Sequence, residues 1–118
     1  MGKIQKFEDL IIWQKGIELS VEIYRVTSKF PKHEVFGLSS QLNRASISIP
    51  SNIAEGFGRQ SPTEFKRFLK ISLGSLLELK TQIIISERLC YLDKNETERI
   101  IVIVEEISKI THAILKRY

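Results

Sequence analysis

Two histidines, one cysteine, a Gly-x-Gly step and a run of cations are the residues of this sequence with chemistry to offer. His33 and His112 lie far apart, and neither belongs to a metal-ligand pattern such as H-E-x-x-H, so no metal is expected. Cys90 falls in phase with a helical apolar stripe and reads as a small buried hydrophobe rather than a nucleophile. Gly56-x-Gly58 follows no strand and lacks the third glycine of a dinucleotide fingerprint. With no nucleophile, base and orienting group in evidence, neither catalysis nor a cofactor is expected.

Binding is the remaining option, and two stretches bear on it. Gly56-Phe57-Gly58-Arg59-Gln60-Ser61-Pro62 leads into a helix whose free N–H groups and dipole favour negative charge, and Arg59, Lys66, Arg67 and Lys70 surround that point. A phosphate of RNA or DNA fits there, and so does a plain helix–helix turn with solvated cations. Upstream, Arg44, Ser48, Ser51 and Glu55 recur at steps of four, three and four, a polar row beside an apolar one, with Asn52 between them. The row is either a ligand or nucleic-acid strip or a hydrogen-bonded structural seam; the seam is favoured, because polar rows touching a core stripe are usually structural.

Four helices must position these residues, at about 8–29, 35–58, 62–91 and 94–116. In the second, Leu38, Leu42, Ala45, Ile49, Ile53 and Gly56 hold helical phase across Pro50, which predicts one kinked helix with the Ser46 and Ser48 hydroxyls near the carbonyls the proline deprives of donors. Ser61-Pro62-Thr63-Glu64 and Asp93-Lys94-Asn95-Glu96 are capping boxes that open the third and fourth helices. Phe65, Leu69, Ser72, Leu76, Leu79, Ile83 and Cys90 form the inward stripe of the third helix; Ile100, Val104, Ile107, Thr111 and Ile114 form that of the fourth. Leu73, Leu77 and Ile84 make a second apolar line on the third helix. Short connections imply an all-α, up-down-up-down antiparallel bundle in one domain, 1–118.

The first helix is apolar on two sides. Leu10, Trp13, Ile17, Val21 and Tyr24 form one stripe, and Ile12, Leu19, Ile23, Val26 and Phe30 another, with the small residues Gly16, Ser20 and Thr27 between them. Gln14, Glu18, Glu22 and Arg25 mark the solvent strip. A bundle needs only one apolar face per helix, so Ile12, Leu19, Ile23 and Val26 are expected to be buried against another copy of the chain.

Net charge of +4 permits an acidic partner without requiring one. A single cysteine excludes an internal disulfide and suits a reducing compartment. Apolar runs are far too short for a membrane span, and Met1-Gly2-Lys3-Ile4-Gln5-Lys6 has neither a signal-peptide core nor the Ser or Thr of a myristoylation signal, so a cytoplasmic protein is expected.

Leu38 to Arg59 with its S-I-P-S-N-I-A-E-G core, then Glu64-Phe-Lys-Arg-Phe-Leu69 and Gly74-Ser-Leu-Leu-Glu-Leu79, resemble the 23S rRNA intervening-sequence proteins, or S23-type four-helix-bundle proteins; Phe7-Glu8-Asp9-Leu10 with Trp13 fits as well. The resemblance implies a bundle assembled as a cyclic homopentamer. It also implies kinship with the accessory variability proteins of diversity-generating retroelements, whose basic barrels bind nucleic acid and a reverse transcriptase. Many members are encoded inside insertions of the 23S rRNA gene, and their activity is undefined. Where members often carry two adjacent basic residues before the alanine, this chain has Asn43-Arg44. The expectation is a non-enzymatic oligomer that binds RNA or RNA/DNA through Arg44, Arg59, Lys66, Arg67 and Lys70; a protein-interaction scaffold is the alternative.

Overall fold

The computed structural model describes residues 4–118, so the reading of the N-terminus as far as it rests on residues 1–3 lies outside the described residues. A 3-10 turn at Phe7–Asp9 precedes α1 (Ile11–Thr27), and a second at Lys32–Glu34 precedes α2 (Leu38–Gly58); α3 (Pro62–Arg88) and α4 (Lys94–Leu115) follow. Each helix packs on its two neighbours around a square, α1 on α2, α2 on α3, α3 on α4 and α4 on α1, and among the described residues the backbones of the diagonal pairs stay apart. The all-α four-helix bundle expected from periodicity is what forms, among the described residues, and α2 runs unbroken through Pro50.

Pro50 explains the closeness of α1 to α2. Its missing N–H strands the carbonyl of Ser46, four residues back. Ser20 of α1 supplies the donor: its Oγ donates to Ser46 O at 2.9 Å. The Ser46 hydroxyl instead donates to Asn43 O at 2.9 Å, so the local rescue expected from Ser46 and Ser48 is replaced by one from the neighbouring helix. Gly16 lies opposite the proline ring, and a Cβ there would stand 3.1 Å from Pro50 Cβ. One helix further on, Ser72 Oγ donates to Ile49 O at 3.1 Å, and a Cβ on Gly56 would meet Phe68 Cβ at 2.5 Å. Small residues are therefore what let α2 sit against both neighbours.

Helix ends depart from the expected bounds for local reasons. Leu10 is extended (φ −74°, ψ 126°), which separates the Phe7–Asp9 turn from α1. The Glu34 carboxylate accepts the Leu38 N–H at 3.0 Å, fixing the start of α2 three residues beyond Val35. At the end of α3, Cys90 N–H donates to Glu87 O and Tyr91 N–H to Ser86 O, a Schellman closure that puts Cys90 in the left-handed region (φ 65°). Cys90 is accordingly exposed, not a core residue. The α4 box is complete, with Glu96 N–H donating to Asp93 and Asp93 N–H to Glu96. The α3 box is half made: Ser61 Oγ accepts the Glu64 N–H at 3.3 Å, but the Glu64 carboxylate is turned to Arg67.

The largest correction concerns α1. Ile12, Leu19, Ile23 and Val26 are all 1% exposed or less within a single chain, so they cannot form an interface between copies. The other stripe faces out: Ile17, Val21 and Tyr24 are 40–53% exposed. Two flanks orient the helix this way. Gly16, Ser20 and Thr27 seat it on α2, and on the opposite side Lys15 pairs with Glu106 (3.2 Å) and Glu22 with Arg99, on α4. Glu22 is thus a buried ion-pair residue held by Arg25 and Arg99, not part of a solvent strip. None of the described helices is long and apolar enough to cross a membrane.

Candidate nucleic-acid interface

The five candidate cations do not form one patch. Arg44 lies on α2 fifteen residues before Arg59, about 22 Å along the axis at 1.5 Å per residue. It borders a polar groove of about 390 Å³ between α2 and α3, with Gln41, Ser48, Ser75 and Glu78. Behind it Gln82, which is 6% exposed, donates from Nε2 to Gln41 Oε1 at 3.3 Å.

Arg59 and Arg67 converge on Phe68, their guanidinium carbons 5.2 and 4.6 Å from the ring centroid. Both are already paired: Arg59 with Glu55 at 3.0 Å and Glu64 at 3.9 Å, Arg67 with both oxygens of Glu64 at 3.2 Å. The Arg67 hydrogen bond holds the Glu64 carboxyl below its usual range. A phosphate approaching the start of α3 would meet that carboxylate first, and Ser61 already accepts the Glu64 N–H.

Lys66 and Lys70 differ: neither forms an ion pair among the described residues. Lys70 lines a groove of about 470 Å³ between α3 and α4, with Leu73, Leu77 and His112. At this end of the bundle α4 also finishes, with Lys116 and Arg117 exposed and Tyr118 set edge-on to Phe65. Cations at a helix C-terminus such as Lys116 and Arg117 need no partner beyond the helix dipole, and only the antiparallel packing shows that they join Arg59, Lys66 and Arg67 at one end of the molecule.

The polar row divides as well. Ser48 Oγ meets Ser75 Oγ at 2.9 Å across α2 and α3, and Asn52 Nδ2 donates to Ser48 O and Oγ at 2.8 and 2.9 Å. Glu55 is exposed and bound to Arg59, while Ser51 is exposed on the side of α2 that faces α1. Sequence reasoning also missed Phe36, which is 97% exposed beside Val35 in the turn before α2. Among the described residues no three His, Cys, Asp or Glu side chains gather as a metal site would require.

Comparison with known proteins agrees with the fold. The curated proteins offer no match to the chain. A crystal structure of a protein of unknown function from the S23 ribosomal protein family of Bacteroides thetaiotaomicron superposes with a TM-score of 0.83 at 27% identity, covering 90% of this chain and 96% of that one. The family model for the 23S rRNA-intervening sequence protein matches residues 8–113. Bundle, the Pro50-bearing signature helix and matched span together place this chain in the 23S rRNA-intervening sequence protein family.

Proposed function

We propose that this is a non-enzymatic, cytoplasmic protein that assembles with copies of itself, as a pentamer on the family resemblance, and binds RNA or RNA/DNA along one rim of the assembly. The supporting observation is the collection of Lys66, Lys116 and Arg117, with Arg59 and Arg67, at the end of the bundle where α3 begins and α4 finishes. In a ring whose axis runs along the bundle, this end of every copy falls on the same rim, and the modest +4 of one chain is multiplied by the number of copies. Arg44 lies outside the rim.

Binding to a structured RNA, followed by filter retention across salt concentrations, tests the reading. Lys66→Ala, Lys116→Ala and Arg117→Ala combined should weaken retention and lower the slope of log affinity against log salt by about one for each phosphate no longer neutralised. An unchanged slope rejects the rim. The pairing of Arg59 and Arg67 with Glu55 and Glu64 favours a second reading, a scaffold that docks a protein partner such as a reverse transcriptase. Retention that is micromolar or weaker and blind to sequence supports that one instead.

A further inference from the structure

Two outer grooves of the bundle are apolar, and they lie on opposite sides of it. The α1/α2 groove, about 360 Å³, is lined by Phe7, Trp13, Ile17, Ile47, Pro50 and Ala54 among others, with no charged side chain. Val21, 53% exposed, and Tyr24, 47% exposed, continue it. The α3/α4 groove holds Leu73 and Leu77, the latter 69% exposed, but its border is charged: Lys70 is unpaired, and Lys80 is bound to Glu105 at 3.0 Å. Charge-depleted apolar centres are what protein interfaces show.

The two faces also stand at the same height. Ser20 of α1 bonds Ser46 of α2, and Ser48 of α2 bonds Ser75 of α3. Residues near 20 and 75 are therefore level, and α1 and α3 run in the same direction. Val21 and Leu77 follow one and two residues later, so they differ in height by less than one turn. Glu18 beside the first face and Lys70 beside the second are also within about a turn of each other in height. Neither has an ion pair among the described residues of its own chain.

Resting on the self-assembly reading above, we propose that the partner of the α1/α2 face is the α3/α4 face of a second copy, with Val21 and Ile17 against Leu77 and Leu73 and Glu18 reaching Lys70. A contact between unlike faces leaves each copy with one further face of each kind, so it propagates. Equal heights mean that no axial shift accompanies each step, which is what a closed ring requires and a helical filament does not. Lys70 then belongs to the seam, and Lys66 stays on the rim.

Val21→Glu and Leu77→Glu alter exposed positions and leave the core intact, which circular dichroism verifies. Each variant alone should have the mass of one chain by light scattering. An equimolar mixture should double that mass and stop there, because the Leu77→Glu chain keeps a sound α1/α2 face and the Val21→Glu chain a sound α3/α4 face. A folded single variant that keeps the wild-type oligomeric mass, or a mixture that stays at one chain, overturns the face assignment while wild-type assembly still stands. A wild-type chain that is itself monomeric overturns both.

Discussion

Pro50 is the residue on which most of the neighbourhood turns. It takes a donor out of α2, and Ser20 on another helix replaces it at 2.9 Å. Leaving the Ser46 carbonyl unpaired should cost about 1–3 kcal/mol, so Ser20→Ala is expected to lower the urea midpoint. On a Pro50→Ala background the helix regains its own N–H, and the same serine substitution should cost much less; equal losses on both backgrounds would break the proposed link. Cys90 makes the opposite case, a residue in a conformation suited to glycine (φ 65°). Cys90→Gly is expected to stabilise the fold by about 1 kcal/mol, read from the same denaturation midpoint.

At the scale of elements, α2, α3 and α4 were legible because each carries one inward stripe, and Leu42, Ile49, Ile53, Leu69, Leu76, Leu79, Ile83, Ile100 and Ile107 are all 2% exposed or less. The first helix was misjudged because its two stripes are equally apolar and the wheel cannot say which faces in. The deciding groups flank the stripes: Gly16 and Ser20 on one side, Lys15 and Glu22 on the other, and their partners lie 26 to 91 residues away. The start of α2 was similarly hidden, since its cap comes from Glu34, before the helix, whose carboxylate accepts the Tyr91 hydroxyl at 2.9 Å. The candidate cations were legible as residue types but not as a surface, because whether Arg59 and Arg67 are free depends on where Glu55 and Glu64 turn.

That cap carries a pH prediction. The Leu38 N–H first, then the Tyr91 hydroxyl, hold the Glu34 carboxyl below its ordinary 4.5. A carboxyl lowered in the folded state contributes stability that is complete above 4.5 and disappears as the pH falls below it toward the folded value. Glu96 is lowered in the same sense by Lys29 and the Asp93 N–H, so the acid limb has at least two contributors. Thermal melts from neutral pH downward should therefore show a shallower acid loss in Glu34→Gln than in the wild type. Parallel curves would mean that Glu34 has no part in the acid limb.

For the whole molecule, the proposed assembly depends on the outward stripe of α1. A single bundle leaves Ile17, Val21 and Tyr24 on one side and Leu77 on the other in water, and in the proposed assembly a second copy covers both. On that proposal, assembly multiplies the charge of a rim of Lys66, Lys116 and Arg117 and strengthens its attraction for a polyanion. Light scattering on the wild-type chain at micromolar concentration tests this most directly. A mass of several chains, five on the family resemblance, is the expected result, whereas a steady 13.6 kDa at every concentration would contradict it.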